Sequence, residues 1–261
     1  MLSRLRGFVF DLDGCVWTGN VLSPGAGETL AALGAAGRRL AFISNNSRAT
    51  GADLAARLRG LGVSVADEDV LTPLDIIGRV IAESYGRSRV LVMGADELAR
   101  AVARGGHEIV DPKRYREAGV VAVGNDFDLT YERLTAAARA AAAGAPIVTP
   151  NVDGRLPIEN GEFLPGCGAI VRAVAVAADV EPVVVGKPEP PLFRIALERL
   201  GLRPAETAMV GDSVPSDIRG GHGVGMRTVL YAPSGAENAA EADVTVASFA
   251  ELAEKIMGHP R

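Results

Sequence analysis

Cysteine is scarce in this chain: Cys15 and Cys167 are the only two in 261 residues. Two thiols this far apart make neither a disulfide framework nor a zinc-binding pattern, and a reducing compartment is expected. Aromatic residues are few, at 5%, and Trp17 is the single tryptophan. Positive charge does not dominate, because 27 Lys and Arg face 32 Asp and Glu for a formal net charge of −5. No Lys/Arg cluster is dense enough to offset that balance, so a nucleic-acid-binding surface is not expected. No apolar stretch reaches the ~18 residues a membrane helix needs. Met1 to Gly7 runs directly into the first apolar segment and leaves no room for a signal peptide, so a cytoplasmic location and no membrane partner are expected.

What is present is an ordinary globular composition, 48% hydrophobic and 23% charged, in a chain long enough for one large domain or two moderate ones. The stretch that organises it is Phe8-Val9-Phe10-Asp11-Leu12-Asp13-Gly14. Three apolar residues run into two carboxylates spaced one residue apart, then a glycine. A short apolar run bounded by a turn signal reads as a buried strand of a parallel sheet. Residues two apart in an extended segment point the same way, so Asp11 and Asp13 can face one ligand. Gly14 allows a tight turn that presents backbone amides to an anion. Asp and Gly after a strand can also simply make a turn, so the rest of the chain has to decide.

Strand-like runs alternate with segments of helical spacing, the pattern of a parallel α/β fold. Helices are expected over 24–37, 50–61, 192–200 and 249–257, and strands at 40–43, 183–185, 208–210, 228–230 and 244–246. Between them, 90–93, 120–123 and 146–149 read as strands alternating with helices of their own. That block forms a separate smaller α/β domain, 76–179, inserted into a core made of 1–75 and 180–261. The core is expected to be a doubly wound parallel sheet. Ser47 reads as a helix N-cap, Asp126 and Asp128 as loop or capping residues, and Trp17 as a packing residue.

Four stations then share one geometry: Asp11/Asp13, Ser44, Lys187 and Asp212/Asp217 each follow a candidate strand. If those strands share one sheet, all four converge beyond its carboxyl edge, where open α/β sheets bind ligands. Hard carboxylate oxygens from Asp11, Asp13 and Asp212 suit Mg²⁺, which also resolves the repulsion among clustered acids. A carboxylate can attack phosphorus to form an aspartyl-phosphate, and a second can protonate the leaving oxygen and later activate water. The phosphate's charge needs the metal, the Lys187 ammonium and donors such as Ser44 around it. Gly186-Lys187 is not a P-loop, because Glu181 stands where a glycine is required.

Read together, these motifs resemble the haloacid dehalogenase superfamily, within it the NagD-like, p-nitrophenylphosphatase subgroup. The signature DxDGxxW stands as Asp11-Leu-Asp13-Gly14-Cys-Val-Trp17, followed by Ser44-Asn45-Asn46-Ser47, Val185-Gly-Lys187-Pro-Glu-Pro190 and Gly211-Asp212…Ser216-Asp217-Ile218. The resemblance implies a Mg²⁺-dependent phosphatase acting on small phosphate monoesters, with Asp11 as nucleophile and metal ligand and Asp13 as general acid/base with its carbonyl on the metal. It implies that Ser44, Asn45 and the Asn46 turn hold phosphate, that Lys187 clamps phosphate and Asp11, and that Asp212 and Asp217 serve the metal. The inserted block would be a type C2 cap, its loop residues Asp153 and Arg155 choosing the substrate, and a homodimer through the cap would fit the subgroup. The same aspartyl-phosphate would also serve a phosphotransferase or mutase, and a catalytically weak binding protein on this scaffold is the other alternative. The chain departs from the pattern at Ser213-Val214-Pro215, where the family usually carries an Arg or Lys after the aspartate, and at Asn151-Val152-Asp153, where Asn-Pro-Asp is common.

Overall fold

A computed structural model describes residues 2–157, 162–235 and 237–258. By its internal contacts the chain divides into two compact units, one made of Met1–Ser44, Gly51–Leu71 and Lys187–Arg261, the other of Asn45–Thr50 and Thr72–Gly186. This divide falls at 71/72 and 186/187, against the 75/76 and 179/180 expected from sequence, and it assigns Asn45–Thr50 to the second unit.

The first unit is built on a six-stranded sheet in the order Val244–Val246, Arg227–Tyr231, Thr207–Gly211, Gly7–Asp11, Arg39–Ile43, Val70–Leu71, every neighbouring pair parallel. Gly7–Asp11 is central and wholly buried. From it the chain winds outward one way through Arg39–Ile43 and Val70–Leu71, then returns to place Thr207–Gly211 on its other side. This doubly wound order puts a topological switch point between Gly7–Asp11 and Thr207–Gly211, where a crevice opens beyond the carboxyl ends. Seven of the twelve aromatic residues lie in this unit. Phe10 stacks on Phe42 at 5.9 Å and on Phe249 at 6.4 Å between ring centroids, fixing the central strand against its neighbour and the last helix. Helices take expected places with small shifts of their ends: Ala26–Ala35, Gly51–Gly60, Pro190–Leu200 and Phe249–Met257. Pro190 opens its helix at the position where a missing N–H costs nothing, and Gly201 closes it with φ of 59°.

Two hairpins were not foreseen. Trp17–Thr18 pairs with Val21–Leu22 directly after the central strand, and Arg155–Pro157 pairs with Phe163–Pro165 where a polar loop was expected. The second unit carries a parallel five-stranded sheet ordered Val183–Val184, Ile147–Thr149, Val120–Val123, Arg89–Met93, Glu108–Val110. The strand before Lys187 therefore belongs to this sheet and not, as expected, to the core sheet. Its apolar run is read equally well by either sheet, and only hydrogen bonding to Ile147–Thr149 decides. Ser47 is not a helix N-cap: the helix begins at Gly51, and the Ser47 hydroxyl accepts from Asn125 Nδ2 at 2.8 Å. Among the described residues no helix is long and apolar enough to cross a membrane.

Close packing in the second unit depends on two glycines. A Cβ on Gly78 would lie 2.8 Å from Gly105 Cα and 2.9 Å from the Ala101 carbonyl oxygen. The same backbone is held by buried His107, whose Nδ1 accepts from Ser88 N and whose Nε2 therefore donates to the Gly78 carbonyl at 2.8 Å. Gly78→Val should lower the unfolding free energy by about 1–3 kcal/mol, because backbone rather than a movable side chain meets the new methyls. Urea unfolding of the purified variant beside the wild type measures this.

Candidate active site

Strand Gly7–Asp11 ends on Asp11, and strand Thr207–Gly211 ends one residue before Asp212, so both acids open at the switch point. Beyond Gly211 the backbone takes a wide π turn over Val214–Ile218, with Ser213 as its cap and Pro215 near its start. The turn swings Asp217 back under the sheet edge, where it is fully buried and its Oδ2 accepts from Ser213 N at 3.1 Å. Carboxylate oxygens of Asp11, Asp212 and Asp217 all lie within 4.8 Å of one another. Gly14, at φ of 94°, is required here, since a Cβ would fall 2.2 Å from Asp212 Oδ2.

Lys187 completes the cluster. Its ammonium donates to Asp11 Oδ1 and, at 2.7 Å, to Asp217 Oδ1, with only 3% of the side chain exposed. Lys187 arrives from the segment after the second unit's edge strand rather than from the end of a core strand. Burial works against its charge, but the carboxylates of Asp11 and Asp217 outweigh that and hold the ammonium protonated far above neutral pH. Burial is also the main reason that the Asp11 carboxyl is pushed well up; Lys187 opposes this shift, and Asp217 and Asp212 add to it. Asp212, less enclosed, is raised by desolvation first and by Asp217 second. Three carboxylates against one ammonium leave two uncompensated negative charges, the charge of one divalent cation. The donors are hard oxygens, as Mg²⁺ prefers. The residues present therefore fit a metal, with Asp11, Asp212 and Asp217 as its surroundings.

Asp13 stands apart from this trio. Its Oδ1 accepts from Trp17 Nε1 at 2.8 Å and its Oδ2 from the Ser44 hydroxyl at 3.1 Å. Ser44, at the end of Arg39–Ile43, is buried. The structure thus brings together Asp11, Asp13, Gly14, Ser44, Lys187, Asp212 and Asp217. Asn45, Asn46, Asp153 and Arg155 belong to the second unit. There the Asn45 carbonyl accepts from Asn151 Nδ2 at 2.7 Å, and Asn46 Oδ1 accepts from the backbone of Arg48 and Ala49 at 2.9 Å each. Asp153 N donates to Asn151 Oδ1, and the Arg155 guanidinium lies 4.3 Å over the Phe163 ring of its hairpin. Asp126 caps its loop and pairs with Arg133 at 2.7 Å. Buried Cys15 directs its thiol to the Val210 carbonyl, and desolvation followed by the charge of Asp11 raises it out of the reactive range. The residue that sequence reasoning missed is Trp17. Its burial was anticipated, but one indole in a short loop offers no periodicity from which to read its hydrogen bond.

Comparison with known proteins agrees with this architecture. A profile of haloacid dehalogenase-like hydrolases matches residues 8–108, and a related HAD-hydrolase-like profile matches residues 184–254. The chain is 34% identical over 228 residues to acid sugar phosphatase of Staphylococcus aureus strain MRSA252, covering 87% of this chain and 86% of that protein. It is 34% identical over 256 residues to glycerol-3-phosphate phosphatase of Homo sapiens, covering 88% and 79%. In three dimensions it resembles p-nitrophenyl phosphatase from Archaeoglobus fulgidus, with a TM-score of 0.86, 30% identity, and 96% and 99% of the two chains covered. The chain belongs to the haloacid dehalogenase-like hydrolases, among the phosphatases of that family.

Proposed function

We propose that the chain hydrolyses small phosphate monoesters through an aspartyl-phosphate on Asp11, with Mg²⁺ as its metal. The observation that carries this reading is the meeting of Asp11, Asp212 and Asp217 around one buried ammonium, beside a separately held Asp13. Bound Mg²⁺ would be held by Asp11, Asp212, Asp217 and the Asp13 carbonyl, and would supply positive charge that lowers the Asp11 carboxyl and offsets that of the phosphoryl oxygens. Asp11 carboxylate attacks phosphorus as the bond to the ester oxygen breaks, and that oxygen takes the proton of Asp13. Water then attacks the phosphorus of the acyl phosphate and gives a proton to the Asp13 carboxylate. Inorganic phosphate leaves and the Asp11 carboxylate is restored. Lys187 stays protonated throughout and draws the phosphoryl charge toward Asp11, and the hydroxyl of Ser44 adds a neutral donor.

The named activities of the relatives, toward acid sugar phosphates and glycerol 3-phosphate, support small phosphorylated polyols as the substrate class. Phosphoglycolate, sugar phosphates and nucleotides are further members to assay. Choice among them is assigned to the second unit, with Asp153 and Arg155 as the candidates.

Hydrolysis of p-nitrophenyl phosphate should require Mg²⁺, stop in EDTA and fall by at least about a hundredfold in Asp11→Asn. Turnover that survives this substitution would remove Asp11 as nucleophile. Mg²⁺ should also raise the melting temperature in a concentration-dependent way, as binding to the folded state alone requires. Asp212→Asn should abolish most of that shift; thermal unfolding at increasing Mg²⁺ measures it without reference to turnover.

A further inference from the structure

We infer that Trp17 is a positioning residue that fixes the orientation of the Asp13 carboxyl toward the leaving group. The inference rests on the reading of Asp13 as general acid. The indole N–H is a donor only, and it points at Asp13 Oδ1 at 2.8 Å. Oδ1 is therefore the acceptor of this bond. Oδ2 accepts from the Ser44 hydroxyl at 3.1 Å. Two donors, one on each oxygen, thus set the plane of the carboxyl and leave Oδ2 as the oxygen on the Ser44 side.

The indole is well fixed for this task. Trp17 is fully buried, and its N–H and carbonyl are tied to the catalytic loop itself, to the Leu12 carbonyl at 3.0 Å and to Gly14 N at 2.8 Å. The guanidinium of Arg57, from helix Gly51–Gly60, lies 4.3 Å over the ring. It also reaches the far end of the hairpin, donating to the Gly19 carbonyl and to Asn20 Oδ1 at 3.1 Å. Such a cation over an indole face holds the ring plane. A carboxyl torsion is otherwise broad, so an Asp13 without this donor would sample orientations that do not deliver a proton.

The test exploits the fact that Trp17 is the single tryptophan, so biosynthetic replacement of tryptophan by benzothienylalanine changes this side chain alone. That analogue keeps the bicyclic shape and removes only the N–H. It is assayed beside Trp17→Phe, with Asp13→Asn as reference, on glycerol phosphate and on p-nitrophenyl phosphate in Mg²⁺. An alkoxide must be protonated as it leaves, whereas p-nitrophenolate departs without help. Loss of the donor should lower kcat/KM for glycerol phosphate by about tenfold or more and for p-nitrophenyl phosphate by less than about threefold, a reduced form of the Asp13→Asn pattern. Equal losses on both esters, or none, would overturn the positioning role of Trp17. If Asp13→Asn itself shows no preference between the esters, Asp13 is not the acid and the inference falls with that reading. If the wild type turns over neither ester, it is the phosphatase reading that fails first.

Discussion

Everything at the sheet edge depends on how buried negative charge is balanced. Asp11 and Asp217 are almost wholly enclosed, and Asp212 stands beside them. Carboxylates so placed protonate or separate unless cations are supplied, and removing one partner of a buried pair costs about 3–5 kcal/mol. Lys187 is the cation that the chain itself supplies, bridging two of the three. It falls short of the three carboxylates by two charges, which a divalent ion would supply. The glycines follow from the same constraint. Carboxylates crowd the backbone so closely that a Cβ on Gly211 would fall 2.3 Å from Asp217 Oδ2.

The fold meets this demand by making the central strand immobile. Phe8, Phe10 and Phe42 are buried around it, and its two parallel neighbours bring Ser44 and Asp212 to the same edge. The tight turn after Asp11 is then closed by backbone bonds between Leu12, Gly14 and Trp17. Asp11 and Asp13 are thus fixed by different means, Asp11 by sheet and ammonium, Asp13 by a hairpin and a hydroxyl. Two carboxylates two residues apart acquire distinct environments, the condition for one fold to assign them distinct chemistry.

Much of this could be read from sequence because the reactive groups sit where a strand pattern stops. Asp11, Asp13, Ser44 and Asp212 each follow an apolar run, and the parallel alternation locates the edge they share. Lys187 was found for a partly mistaken reason. Val183-Val184-Val185 reads as another core strand, yet it closes the second sheet, because an apolar triplet carries no record of its hydrogen-bond partner. The convergence survived because Lys187 has a long side chain and needs only to enter the crevice. The hydrogen bond of Trp17 and the π turn at Val214–Ile218 left no such trace, although Trp17 itself closes the DxDGxxW signature. An indole N–H reveals its acceptor only in three dimensions, and a π turn differs from an α turn by a single residue of hydrogen-bond spacing.

That turn explains how the chain manages without a base at position 213. The resemblance noted in the sequence implies Arg or Lys after Asp212, where this chain has Ser213. Here Ser213 contributes its backbone N–H to Asp217 Oδ2, while its hydroxyl accepts from Ser216 N and its carbonyl from Asp217 N. Such dipoles stabilise a carboxylate without cancelling its charge. Pro215 holds the turn open at the point where an ordinary helix would start, which keeps Asp217 directed at Lys187 instead of at solvent. The Ser213-Val214-Pro215 segment thus holds Asp217 by backbone hydrogen bonds, within reach of Asp11, Asp212 and Lys187.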